Sequence, residues 1–164
     1  MIDAHDEAVV AAQLGRPPRG VHGIGHRCAC GNPDVVTTVP RLPDGTPFPT
    51  TFYLTCPRAA SLIGTLEGSG LMAQMTDRLH TDASLAAAYR SAHLRYLQAR
   101  EEIGEVPEID GVSAGGMPDR VKCLHVLAAQ SLAMGRGVNP LGDEVLDALG
   151  DWWESGPCVP GDEQ

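Results

Sequence analysis

Lysine is almost missing from this chain of 164 residues: eleven of its twelve Lys and Arg side chains are arginine, and Lys122 is the exception. Long apolar runs are missing too. None approaches the roughly 18 residues needed to span a bilayer, which excludes a membrane-spanning helix. The opening Met1-Ile2-Asp3-Ala4-His5-Asp6-Glu7 is acidic and lacks the basic and apolar regions of a signal peptide. The chain is therefore expected to be cytoplasmic, with no membrane partner. Basic charge is short overall: a net charge of −9 argues against a nucleic-acid partner, which needs a basic face. There is no internal repeat, no low-complexity tract, no Walker A loop and no paired C-x-x-C.

What is present describes an ordinary folded protein. An apolar fraction of 43% and a charged fraction of 20% belong to one domain with a real core. A single domain over residues 1–158 is expected, with fraying from Gly156 and a disordered tail over 159–164. Five cysteines in a reducing compartment read as buried thiols, ligands or catalysts rather than disulfides.

Patterning divides the chain. Residues 5–14 read as a short helix ended by Gly15 and Pro17-Pro18. Residues 34–39 and 50–55 are rich in β-branched and aromatic side chains, as strands are. The Asp44-Gly45 pair between them marks a hairpin whose paired residue numbers add to about 89. Residues 21–28 supply a third strand. Beyond Cys56 the spacing is helical: from Pro57, from Leu71 to Leu79, from about 82 to 103, from Pro118 to about 134, and from Asn139-Pro140 through Trp152 and Trp153. The fold class is α+β: a small antiparallel sheet of two to three strands, within about residues 21–56, packed by five to six helices.

Three thiols gather on this reading. Cys28 and Cys30 are two apart and share a strand face. The hairpin register then brings Cys56 to the end of the sheet where Cys28-Ala29-Cys30-Gly31 turns over. A tetrahedral metal site needs a fourth ligand. Cys123 is the leading choice, with His22, His26 and His125 as others. Zinc is the expected ion, ahead of an iron–sulfur cluster. The same cysteines also read as small buried hydrophobes.

A second cluster is Arg120-Val121-Lys122-Cys123-Leu124-His125. Lysine, thiol and imidazole in one short stretch make Lys122, Cys123 and His125 candidate catalytic residues. On a regular helix Lys122 and His125 share a face, whereas Cys123 and His125 lie on different sides. Burial would perturb the titration of both basic groups. Arginines concentrate in residues 16–58, and Arg19, Arg27 and Arg41 are candidates for holding a phosphate or carboxylate. They read equally as scattered surface charge. An enzyme or binder of a small anionic metabolite is thus a second functional expectation. Ser113-Ala114-Gly115-Gly116 offers a weak anion cradle and an ordinary tight turn. His80 and His93 read as solvated.

The strings Pro40-Arg41-Leu42-Pro43-Asp44-Gly45-Thr46-Pro47-Phe48-Pro49-Thr50, Leu54-Thr55-Cys56-Pro57, Ser113-Ala114-Gly115-Gly116-Met117-Pro118, Arg120-Val121-Lys122-Cys123-Leu124-His125 and Gly137-Val138-Asn139-Pro140 together resemble the actinobacterial family called domain of unknown function 501. The similarity spans roughly residues 9–158. It implies a bacterial cytosolic protein from a family with no assigned activity. Members are often encoded near a septum-formation initiator, enolase and an exopolyphosphatase-like protein. That neighbourhood implies a third expectation, a non-catalytic interaction protein of cell division or polyphosphate metabolism that docks through Trp152-Trp153 or the long helix. The family has no accepted ligand or catalytic residues to carry over.

Overall fold

The structure, a computed structural model, describes residues 2–159, so most of the expected tail (160–164) lies outside the described residues. Helix α1 (Ala4–Leu14) starts where the Asp3 carboxylate accepts the Asp6 N–H at 2.8 Å, and it stops at Gly15, whose φ of +72° ends the helical turn. Strands β1 (Val21–Arg27), β2 (Pro33–Thr38) and β3 (Phe52–Leu54) form an antiparallel sheet in the order β1-β2-β3. Val35 pairs with Leu54, Val36 with Tyr53 and Thr37 with Phe52, so every pair adds to 89. The expected register is the observed one. It follows from the loop between β2 and β3, where Leu42 N–H donates to Thr46 C=O and Asp44 accepts the Thr46 N–H.

Helices α2 (Pro57–Glu67), α3 (Leu71–Thr81), α4 (Ala83–Ile103), α5 (Leu124–Met134) and α6 (Pro140–Leu149) cover the sheet, with short 3₁₀ turns at Pro107–Ile109 and Trp152–Ser155. The α+β class therefore holds, with three strands and six α-helices among the described residues. No described helix is long and apolar enough to cross a membrane.

Helix α5 sits at the centre, buried nearly all round, against β3 on one side and α6 on the other. Gly142 of α6 allows the closest approach: a Cβ there would run into the Leu127 carbonyl and the Ser131 hydroxyl. Tyr96 of α4 carries the sheet edge, because its hydroxyl accepts the N–H groups of Thr51 at 2.8 Å and Phe52 at 3.3 Å. Its ring meets Phe52 edge to face, with centroids 5.3 Å apart.

Three expectations fail for identifiable reasons. Helix α5 begins at Leu124 and not at Pro118. Residues 113–122 are tied into turns by Met117 N–H to Ala114 C=O and Lys122 N–H to Gly115 C=O, and the first helical N–H, that of Leu124, is capped from α2 by Glu67 Oε2 at 2.9 Å. The last helix ends at Leu149, so both tryptophans lie in the 3₁₀ turn beyond it, stacked edge to face. His93 is buried, not solvated, and its Nδ1 meets Ser113 Oγ at 2.7 Å.

Candidate metal centre

The sheet delivers two thiols from one turn. After β1 the backbone closes on itself, with Cys28 N–H bonded to Asn32 C=O and Gly31 N–H to Cys28 C=O, each at 2.9 Å, and Gly31 at φ +94°. This places Cys28 and Cys30 at the tip of the β1–β2 hairpin. The third comes from the end of β3: Thr55 N–H still bonds to Asp34 C=O, and Cys56 follows as the N-cap of α2 ahead of Pro57. All three lie at one end of the sheet, as the register requires.

The further thiol there is Cys158, not Cys123. The sulfurs of Cys28, Cys30 and Cys158 all lie within 4.8 Å of one another. Cys56 interacts with Cys158: the pairing lowers the Cys56 thiol and raises that of Cys158. Far from fraying, the chain at 157–158 is fastened from both α1 and α2. Gln13 of α1 donates its amide to the carbonyls of Pro33 at 2.6 Å and Cys158 at 2.9 Å, and Arg58 Nε donates to Pro157 C=O at 2.8 Å. Cys158 is completely buried as a result.

Two of the four sulfurs, those of Cys30 and Cys56, sit where negative charge is favoured. Cys30 Sγ accepts the Cys158 backbone N–H at 3.4 Å and the Asn32 side-chain amide at 3.6 Å. Burial raises the Cys30 thiol, but the N–H groups of Cys158 and Asn32 outweigh it and leave the net shift downward. Cys56 falls to about 7. The Cys158 thiol is the main cause, and the N–H groups of Ala59 and Arg58 at the start of α2 add to it against burial. Cys158 moves up, through its pairing with Cys56 and through burial; Cys28 moves up through burial. His26, another candidate ligand, is engaged elsewhere, with Nδ1 2.7 Å from the fully buried Asp34 carboxylate.

Cys123 belongs to a second group, with His125 and Glu67, whose ligand atoms also lie within 4.8 Å of one another. Because α5 starts only at Leu124, Cys123 is extended at φ −149° and escapes the helical geometry that would separate it from His125. Its sulfur is 3.9 Å from His125 Nδ1, which also meets Glu67 Oε1 at 3.1 Å. His125 Nε2 faces the Ala60 carbonyl at 3.1 Å. The imidazole is raised to about 9, first by the Cys123 sulfur, then by the Glu67 carboxylate and the Ala60 carbonyl, against burial. A groove of about 450 Å³ opens beside Cys123 and His125. Lys122 is exposed in the preceding loop and borders a different groove, beside Ser113, Gly116 and Asp119, so it does not share a helix face with His125.

Arg27 and Arg41 are engaged with separate partners, and the three arginines do not share one. Arg27 forms a two-point pair with the buried Asp6 of α1. Arg41 reaches Glu108 and the Gly45 carbonyl. Arg19 is exposed and adds to the lowering of Asp44, which the Thr46 N–H dominates. The Ser113 to Gly116 stretch serves as a packing turn, since a Cβ on Gly116 would strike the Arg120 carbonyl.

Two of the residues that complete these groups escaped the sequence reading. Cys158 had a signal, a cysteine behind Gly156-Pro157 just after two tryptophans. Glu67 had none, because nothing local links the end of α2 to a helix start 57 positions later.

No curated protein and no solved structure matches the chain. A family profile matches residues 24–147, a stretch that holds Cys28, Cys30, Cys56, Glu67, Cys123 and His125 and stops before Cys158. The family is described as a protein of unknown function, DUF501, and this chain belongs to it.

Proposed function

We propose that this protein binds one zinc ion through the thiolates of Cys28, Cys30, Cys56 and Cys158, and that the ion is structural. One observation carries the reading: the sulfurs of Cys28, Cys30 and Cys158, from opposite ends of the chain, lie within 4.8 Å of one another, and Cys56 interacts with Cys158 beside them. Around a tetrahedral zinc with bonds of about 2.3 Å, neighbouring sulfurs stand about 3.8 Å apart. A small contraction would suffice for Cys28, Cys30 and Cys158, and Cys56 would have to close in from beside Cys158. Four soft sulfur donors favour zinc over harder ions, and a full set of protein ligands leaves no place for substrate.

The arrangement also supports a reason for the ion. Cys28, Cys30 and Cys56 belong to the sheet and the start of α2, whereas Cys158 belongs to the C-terminal segment. A metal bridging them would lock that segment onto the sheet, and binding energy at such a site is folding energy. Elemental analysis of freshly purified protein tests this. Stoichiometric zinc, with a lower melting temperature after chelation, supports the reading; metal-free protein whose melting ignores chelators removes it.

A further inference from the structure

Glu67, Cys123 and His125 share no residue with the four-thiol centre. We infer that they form a second zinc site, with Glu67 Oε1, Cys123 Sγ and His125 Nδ1 as ligands and a fourth position open to the groove lined by Tyr53, Thr55, Pro57 and Ala60. The inference does not depend on the four-thiol reading.

The spacing comes first. His125 Nδ1 is 3.1 Å from Glu67 Oε1 and 3.9 Å from Cys123 Sγ. In tetrahedral zinc, with bonds of about 2.0–2.1 Å to nitrogen and oxygen and about 2.3 Å to sulfur, those separations are about 3.3 Å and about 3.6 Å. Both separations stand within a few tenths of an ångström of that geometry, and the third, from the Glu67 carboxylate to Cys123 Sγ, is within 4.8 Å.

The supporting bonds come next. A ligating histidine ordinarily donates its second ring N–H to a carbonyl or carboxylate, which fixes the tautomer and turns the other nitrogen toward the metal. His125 Nε2 faces the Ala60 carbonyl at 3.1 Å and leaves Nδ1 toward Glu67 and Cys123. Glu67 is held likewise: Oε2 accepts the Leu124 N–H at 2.9 Å, and Oε1 remains for the ion. His125 and Glu67 are thus each anchored by a backbone group, of α2 and α5 respectively.

Exposure then decides the type of site. All three ligands are half-buried, and Cys123 and His125 line the groove whereas Glu67 does not. A metal here has protein on three sides and solvent on the fourth. Three ligands with an open position are the arrangement in which zinc binds water, lowers its pKa and polarises an oxygen-bearing ligand. The four-thiol centre offers no such position. The ligand class is therefore a small molecule presenting a carbonyl, carboxylate or phosphoryl oxygen to zinc.

The test is zinc per chain, measured after loading and gel filtration, in the unmodified protein and in Cys123→Ser, Glu67→Gln and Cys158→Ser. Two ions per chain are expected, falling to one in each variant. A single ion in the unmodified protein that survives both Cys123→Ser and Glu67→Gln overturns the second site and leaves the four-thiol centre standing. A single ion in the unmodified protein that survives Cys158→Ser but leaves with Cys123→Ser supports the second site and removes the four-thiol reading instead. Alkylation provides a readout without substitution: zinc should slow iodoacetamide labelling of Cys123, followed by peptide mass. An unchanged labelling rate in fully loaded protein contradicts coordination through that sulfur.

Discussion

The backbone N–H of Cys158 points at the sulfur of Cys30 across 3.4 Å, although 128 positions separate the two residues. A donor aimed at sulfur favours its charged form. The contact joins the C-terminal segment to the first hairpin, and it makes Cys158 the residue on which the four-thiol centre turns.

Replacing Cys158 with serine should therefore remove the metal that Cys28, Cys30 and Cys56 share with it, whereas Cys123→Ser should leave that ion in place. A ligand present at a thousand times its dissociation constant stabilises the folded state by about 4 kcal/mol. For a chain of this size that is roughly 8–16 °C in melting temperature. Differential scanning calorimetry of Cys158→Ser checks the loss; a melting temperature equal to that of the unmodified, zinc-loaded protein would deny Cys158 its special place.

Gln13 should act as a positioning residue for the same centre. Its amide spans the Pro33 and Cys158 carbonyls inside the protein. Gln13→Ala removes the donor from both, at a cost of about 1–3 kcal/mol. Tyr96→Phe costs a comparable amount, because the Thr51 and Phe52 N–H groups lose their acceptor. Only Gln13→Ala should also speed zinc loss to a chromogenic chelator. Equal rates in the two variants would reduce Gln13 to a packing residue.

Much of this arrangement was legible in the sequence, and the parts that were not share a cause. The hairpin register was readable because one Asp-Gly turn and two β-branched runs are local signals, and it puts Cys56 at the sheet end where Cys28 and Cys30 lie; those two sit in the turn that follows β1, not on one face of a strand as expected, because β1 ends at Arg27. The start of α5 was not readable. Pro118 has the right local character for a first helical turn, but the cap that sets the start is supplied by Glu67 from another helix. Once α5 begins at Leu124, Cys123 turns toward His125 rather than toward the sheet end. Cys158 was missed because a segment rich in glycine and proline reads as frayed when the residues that tie it down, Gln13 and Arg58, lie far away in the chain.

Gly142→Ala tests the central packing independently of any metal. A methyl group would collide with the Leu127 carbonyl and Ser131 of α5, the most buried helix in the fold. Overpacking of this kind costs typically about 1–3 kcal/mol. The expected outcome is a lower urea midpoint with metal content unchanged. A midpoint equal to that of the unmodified protein would show that α5 and α6 can separate without penalty.

His93 should make stability fall on the acid side. Burial, then the Arg90 charge and that of Arg100, hold its imidazole below the ordinary 6.5, with Asp119 opposing. Unfolded chains take up this proton near pH 6.5 and folded chains only at lower pH, so between those values the unfolded state binds more protons. Stability is thus unaffected above that point and drops as pH falls from it toward the folded value. His93→Gln cannot charge and should flatten this part of the profile in denaturation curves taken from about pH 7.5 to about pH 5. A profile identical to the unmodified protein's would mean that His93 charges as freely as in the unfolded chain.

The most direct measurement of four-thiol coordination is X-ray absorption at the zinc edge on the Cys123→Ser variant, in which the neighbouring group is disabled. Four sulfur neighbours at about 2.3 Å are expected. A zinc shell of nitrogen and oxygen, or the absence of zinc from folded protein, would contradict it.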